Sequence, residues 1–134
     1  MSTSKFLAFD FGAESGRAIV GILEDNTIRL EEIHRFSNRQ VKIHGRLYWD
    51  ILYLFDELKN GLSSAATRGH RDIQSIGIYT WGVDFGLIDK TGQLIGNPVA
   101  YRDSRTDVMM RKAFTKISKK EIYKPLWKRS EFLL

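Results

Sequence analysis

Phe9-Asp10-Phe11-Gly12-Ala13-Glu14-Ser15-Gly16-Arg17 decides how the chain begins. The apolar run Phe6-Leu7-Ala8-Phe9 reads as a strand buried on both faces and ending in a carboxylate, Asp10. Small residues reverse the chain, and Arg17 opens a second apolar, β-branched stretch to Leu23. Asp25-Asn26 is a turn signal, and Thr27 to Phe36 reads as a third strand, with a bulge expected at Glu31-Glu32. Two short turns joining three strands make an antiparallel meander. A doubly wound dinucleotide fold, whose first strand leads directly into a helix, is thereby excluded.

Outward from that stretch, Gln40 to Tyr48 is a weaker strand or a loop. Asp50 is placed to cap a helix in which Ile51, Phe55, Leu58, Leu62 and Ala65 recur at helical spacing up to about Thr67. Ile73 to Tyr79 reads as a strand. Val83 to Asp89 reads as another, followed by a turn at Thr91-Gly92 and a segment Leu94 to Val99 that Pro98 ends. Thr106 is expected to cap a second helix holding Met110, Ala113, Phe114 and Ile117, and Ser118 and Glu121 have capping-box spacing. The class is α/β, a mixed sheet with flanking helices.

Three segments carry the chemistry. In the first, successive N–H groups around Ala13 to Gly16, with the Ser15 hydroxyl, can cradle an anion, and Gly12 and Gly16 can take positive φ and admit a ligand close to the backbone. Asp10 could hold Mg²⁺ through its waters, and Arg17 could face phosphate oxygens. An ordinary hairpin with turn glycines is the other reading. In the second, Gly77-Ile78-Tyr79-Thr80-Trp81-Gly82-Val83-Asp84-Phe85, an indole beside glycine suits the apolar face of a sugar, or else is a core tryptophan beside a bulge. The third, Ala100-Tyr101-Arg102-Asp103-Ser104-Arg105, is a charged loop that either binds a ligand or is fixed by an internal Arg–Asp pair.

The 134 residues include no cysteine, which excludes disulfides, thiolate metal sites and a cysteine nucleophile. Neither a Gly-x-x-x-x-Gly-Lys-Ser/Thr loop nor a Gly-x-Gly-x-x-Gly fingerprint is present. Net charge is +5, but eight Lys/Arg against Glu121 and Glu131 lie from Arg111 onward, so the basic character belongs to the C-terminal stretch. A solvated helix face explains it better than a nucleic-acid surface does. His34, His44 and His70 lack metal spacing and are expected at the surface. No apolar run approaches membrane-spanning length and the N-terminus does not open like a signal peptide, so a cytoplasmic protein is expected.

Taken together the chain resembles the FGGY carbohydrate kinases, and within them the rhamnulokinase branch. The likeness is carried by Gly12 to Arg17, Glu32-Ile33-His34-Arg35-Phe36, Trp81 to Phe85 and Pro98 to Thr106, in order, from about Lys5 to Tyr123. It implies a ribonuclease H-like fold of the kind found in actin, heat-shock and hexokinase-type ATPase domains, here incomplete. It implies ATP and Mg²⁺ as cofactors, with Asp10, Gly12, Ala13, Glu14, Ser15, Gly16 and Arg17 at the nucleotide phosphates and Asp10 at the metal. Trp81, Gly82 and Asp103 would meet a ketose, and the reaction would be phosphoryl transfer to L-rhamnulose. Two departures stand out: Tyr79 occupies a position where the family usually has aspartate, and Lys124 to Leu134 does not resemble the family. Residues 1–123 are therefore expected to form the N-terminal kinase portion and 124–134 a divergent tail open to self-association. A general base is expected beyond Leu134, with the segment inactive alone. The alternatives are another FGGY kinase acting on xylulose or glycerol, a non-catalytic nucleotide-binding domain, and, least, a nucleic-acid binder.

Overall fold

The first strand, β1 (Ser4–Phe11), is the centre of the sheet. It pairs antiparallel with β2 (Ser15–Glu24), which pairs antiparallel with β3 (Thr27–Ser37). A computed structural model describes residues 3–122 of the chain. They fall into two compact units, which divide between Ala100 and Tyr101.

Asp25 and Asn26 both take positive φ, the backbone that a tight two-residue hairpin requires, and the turn falls where the sequence puts it. The irregularity between β2 and β3 comes slightly later than expected: Ala18 faces His34 and Ile19 faces Glu32, so the register skips Ile33. A small hairpin, β4 (Gln40–Ile43) and β5 (Arg46–Trp49), turns at His44 and Gly45, again at positive φ. Helix α1 (Ile51–Thr67) follows, with the Asp50 carboxylate accepting the Tyr53 N–H at 3.2 Å. It carries the chain over one face of the sheet to β6 (Ile73–Tyr79), which joins β1 in parallel. The sheet order is β3-β2-β1-β6.

The core lies between α1 and that face. Leu7, Phe9 and Phe11 alternate inward along β1, with Ala18, Val20 and Ile22 beside them on β2. The expectation that β1 is buried on both faces is therefore corrected. Phe6 and Ala8 are exposed, because no layer covers the second face among the described residues. Gly61 lets the helix sit close, since a Cβ there would lie 2.5 Å from the Phe9 ring.

Beyond Tyr79 the expected strands at Val83 to Asp89 and Leu94 to Val99 do not form. Only isolated bridges, Ile88 with Leu94 and Tyr48 with Val99, mark the segment. Val83, Phe85, Leu87 and Ile88 are all exposed, so apolar pattern alone did not secure a ladder partner.

In the second unit, Asp103 rather than Thr106 acts as a cap: its Oδ1 accepts the Arg105 N–H at 2.9 Å and starts a short 3₁₀ turn, Ser104–Thr106. Helix α2 spans Met109–Phe114 and begins at Val108 without a side-chain cap. The Ser118–Glu121 capping box forms as expected, with the Ser118 N–H donating to Glu121 Oε2 at 3.1 Å and the Glu121 N–H donating to Ser118 Oγ at 3.3 Å. The tail assigned to Lys124–Leu134 lies outside the described residues.

Candidate functional site

Antiparallel pairing sets Asp10 of β1 opposite Arg17 of β2. Arg17 donates from Nε and Nη2 to the same oxygen, Asp10 Oδ2, at 3.0 and 2.8 Å. The register extends this pair across the sheet, with Arg35 beside Arg17 and Tyr79 beside Asp10. Arg35 is held by Glu32 at 2.6 Å, and that hydrogen bond keeps the Glu32 carboxyl below its ordinary pKa, with the nearby guanidiniums reinforcing it. Two arginines thus line one end of the sheet, both in reach of solvent. Tyr79, standing where aspartate was expected, is largely exposed next to Asp10.

Gly12, Ala13 and Glu14 connect the two strands. The Gly12 N–H donates to the Ser15 carbonyl at 2.9 Å and closes the turn. Neither Gly12 nor Gly16 takes the positive φ expected of them. Their smallness serves packing instead. A Cβ on Gly12 would sit 2.9 Å from the Ser15 carbonyl oxygen, and one on Gly16 would sit 2.1 Å from Cζ of Phe36. Ala13 is half-buried, Glu14 and Ser15 are exposed, and Gly16 is buried under that ring.

The second segment forms a wall of two indoles. Trp81 stacks on Trp49 with ring centroids 4.1 Å apart and planes 24° from parallel. Trp49, fully buried, donates its indole N–H to Asp84 Oδ2 at 2.5 Å. Gly82 has φ of +71°, and a Cβ there would meet nothing. The glycine is needed for its backbone conformation and leaves open space before it. Thr80, Trp81, Gly82, Asp84 and Gly86 contribute to a cleft of about 170 Å³. An adjoining apolar cleft of about 240 Å³ runs from Phe11 and Trp81 along α1. Asp103, the remaining predicted contact, is buried in the second unit as the cap already described.

Sequence reasoning missed Trp49 and Asn38. Trp49 had only its place beside the helix cap as a signal, and its partner Asp84 is remote in sequence. Two of the three histidines also differ from expectation: His34 is partly buried against Glu57 at 2.5 Å, and His70 packs 3.3 Å from Glu31, whereas His44 is exposed as expected. Both tie the sheet's outer strand to its surroundings, and no cluster fit to bind a metal by side chains alone occurs among the described residues.

No family model matches the chain. Curated relatives do. Rhamnulokinase of Oceanobacillus iheyensis is 44% identical over 117 residues, covering 87% of this chain and 25% of that protein. Rhamnulokinase of Bacteroides thetaiotaomicron is 46% identical over 118 residues, covering 88% of this chain and 24% of that protein. The chain belongs to the FGGY carbohydrate kinases. Within that family it goes with the rhamnulokinases, and it spans about a quarter of the length of the curated relatives it matches. Solved structures agree on the fold of this FGGY segment. Gluconate kinase from Lactobacillus acidophilus superposes with a TM-score of 0.74 at 12% identity, over 91% of this chain and 24% of its own. Xylulose kinase from Rhodospirillum rubrum gives 0.71 at 18% identity, over 89% and 25%. The incomplete ribonuclease H-like fold that the resemblance implied is the fold these kinases share.

Proposed function

We propose that this chain is the phosphate- and sugar-facing part of an ATP-dependent L-rhamnulose kinase. The observation that carries the reading is the match to rhamnulokinases along almost the whole chain. The geometry supports it. The 12–17 segment would receive the nucleotide phosphates, and Arg17 would exchange its bond to Asp10 for phosphate oxygens as negative charge redistributes in transfer. Asp10 is a single exposed-side carboxylate, which fits Mg²⁺ because that ion keeps most of its waters and takes one or two protein carboxylates beside phosphate. When bound, the ion would neutralise phosphate charge.

Trp81 would offer its face to the C–H side of the ketose, with the open backbone at Gly82 accepting or donating to a hydroxyl. The base that accepts the hydroxyl proton is not assigned to any residue here, so the 134-residue chain by itself is expected to show no turnover. The expected setting is the cytoplasm, where ATP is supplied. Among the described residues no helix is long and apolar enough to cross a membrane.

A chimera tests the assignment. Residues 1–122 of this chain replace the corresponding segment of the Oceanobacillus iheyensis rhamnulokinase, and ADP release is followed with L-rhamnulose, xylulose or glycerol. Preferential turnover of L-rhamnulose is expected. A folded chimera that prefers xylulose or glycerol would show that this segment belongs to a different sugar kinase.

A further inference from the structure

The turn between β1 and β2 is gripped from outside by one residue. β3 ends with Ser37 paired to Ser15, which brings Asn38 under the turn. The Asn38 side chain donates from Nδ2 to the Gly12 carbonyl at 2.6 Å, and its backbone N–H donates to the Glu14 carbonyl at 2.8 Å. Asn38 is 4% exposed, and its Oδ1 accepts no hydrogen bond among the described residues.

The consequence follows from peptide geometry. The Gly12 carbonyl and the Ala13 N–H belong to one planar trans unit and point in opposite directions, as do the Glu14 carbonyl and the Ser15 N–H. Turning both carbonyls inward to Asn38 turns both N–H groups outward. We propose that Asn38 is a positioning residue for phosphoryl transfer, aiming the Ala13 and Ser15 amides at the oligophosphate of the nucleotide. This rests on the phosphate role proposed above for residues 12–17. The two grips differ in kind. The Ser15 amide is set by the Asn38 backbone, which any substitution retains, whereas the Ala13 amide is set by the side chain.

Titration of the chain with inorganic tripolyphosphate, followed by backbone amide NMR, tests this. In the unsubstituted protein the Ala13 and Ser15 amides are expected to shift saturably. Asn38→Ala should weaken binding about tenfold, the worth of one hydrogen bond to a charged-ligand site, and should abolish most of the Ala13 shift while sparing that of Ser15. Asn38→Asp should behave likewise at neutral pH and recover when its carboxyl is protonated and can donate again. A general loosening of the fold would move both amides together and would show no such recovery. Equal affinity and equal Ala13 shifts in a folded Asn38→Ala protein would overturn the positioning role while leaving the phosphate site standing. No shift at any loop amide in the unsubstituted protein would instead remove the phosphate reading, and this proposal with it. Should the variants fail to fold, the through-bond coupling between Asn38 Nδ2 and the Gly12 carbonyl carbon must persist in the tripolyphosphate-saturated protein; its absence overturns the proposal.

Discussion

The two halves of the proposed site are held by different means. The turn at Gly12 to Glu14 joins the two most deeply buried strands, with Phe9, Phe11, Ala18 and Val20 behind it and Asn38 beneath it. The stretch from Trp81 to Val99 leaves the end of β6, whose Ile76 and Ile78 are exposed, and is tied back by a stacked indole pair, the Trp49–Asp84 hydrogen bond and isolated bridges. The phosphate side is therefore preorganised by core packing. The sugar side is preorganised by a few polar and aromatic contacts, in a segment whose apolar side chains face outward. On the proposed reading, such an arrangement would let the sugar wall adjust while the phosphate turn stays fixed.

Truncation in each half is the sharpest way to break this contrast. Phe9→Ala should cost about 4 kcal/mol, because a fully buried ring leaves a cavity against Gly61 and α1. Ile78→Ala, at a half-exposed position, should stay within about 1 kcal/mol. Urea denaturation of both variants measures the difference, and equal losses would mean that β6 is packed as tightly as β1.

Next in size are the catalytic substitutions, read in an active kinase carrying this segment. Arg17→Ala should lower kcat about a hundredfold, near 3 kcal/mol of transition-state stabilisation, with little change in sugar KM. Gly82→Val should raise the KM for the ketose, since a β-branched residue strains at φ of +71° and fills the space before the wall. Thermal melts run alongside separate these effects from unfolding. The reverse split, with Arg17→Ala affecting only the sugar, would mean that the arginine serves Asp10 and not the phosphate.

Trp49→Phe is expected to cost about 2 kcal/mol, leaving Asp84 without its indole donor in a partly buried place. The exciton signature of the stacked indoles in circular dichroism should vanish with it.

Smallest is the contribution of Asp89 in the outer loop. The Thr91 hydroxyl, then the Gln93 and Thr91 amides, hold its carboxyl below the ordinary value. A depressed carboxyl stabilises the folded state fully above the ordinary carboxylate range, and that stabilisation is lost as pH falls through the folded value. Asp89→Asn should therefore lower the melting temperature slightly at neutral pH and not at all in strong acid, as differential scanning calorimetry at the two pH values would show.

Much of this was legible in the sequence, for local reasons. The Asp25-Asn26 hairpin, the Asp50 cap and the Ser118–Glu121 box each depend on residues a few positions apart. The Asp10–Arg17 pair follows from the hairpin once its turn is placed. What escaped depended on distant partners. A run such as Val83 to Asp89 reads as a strand, yet a strand needs a neighbour with free backbone groups, and apolar periodicity carries no record of one. Asn38 carries no local signal, because its contacts are set by the register of β3 against a turn far earlier in the chain. The two glycines of the turn do not take the positive φ expected of them, and a Cβ at either would meet a phenyl ring or a carbonyl that only the folded chain brings near.

The central strand has two partners that differ in how the chain must travel to reach them. β1 meets β2 across a tight turn, whereas its pairing with β6 joins Lys5 to Ile73 around the whole of α1. Closing that long loop costs entropy before any contact returns it, so the three-strand meander is expected to assemble first and β6 to dock last. A late-docking strand is also the first to leave. Shaving a methyl group from Ile73 should then quicken unfolding while leaving the refolding rate almost untouched, a pattern that stopped-flow kinetics would expose.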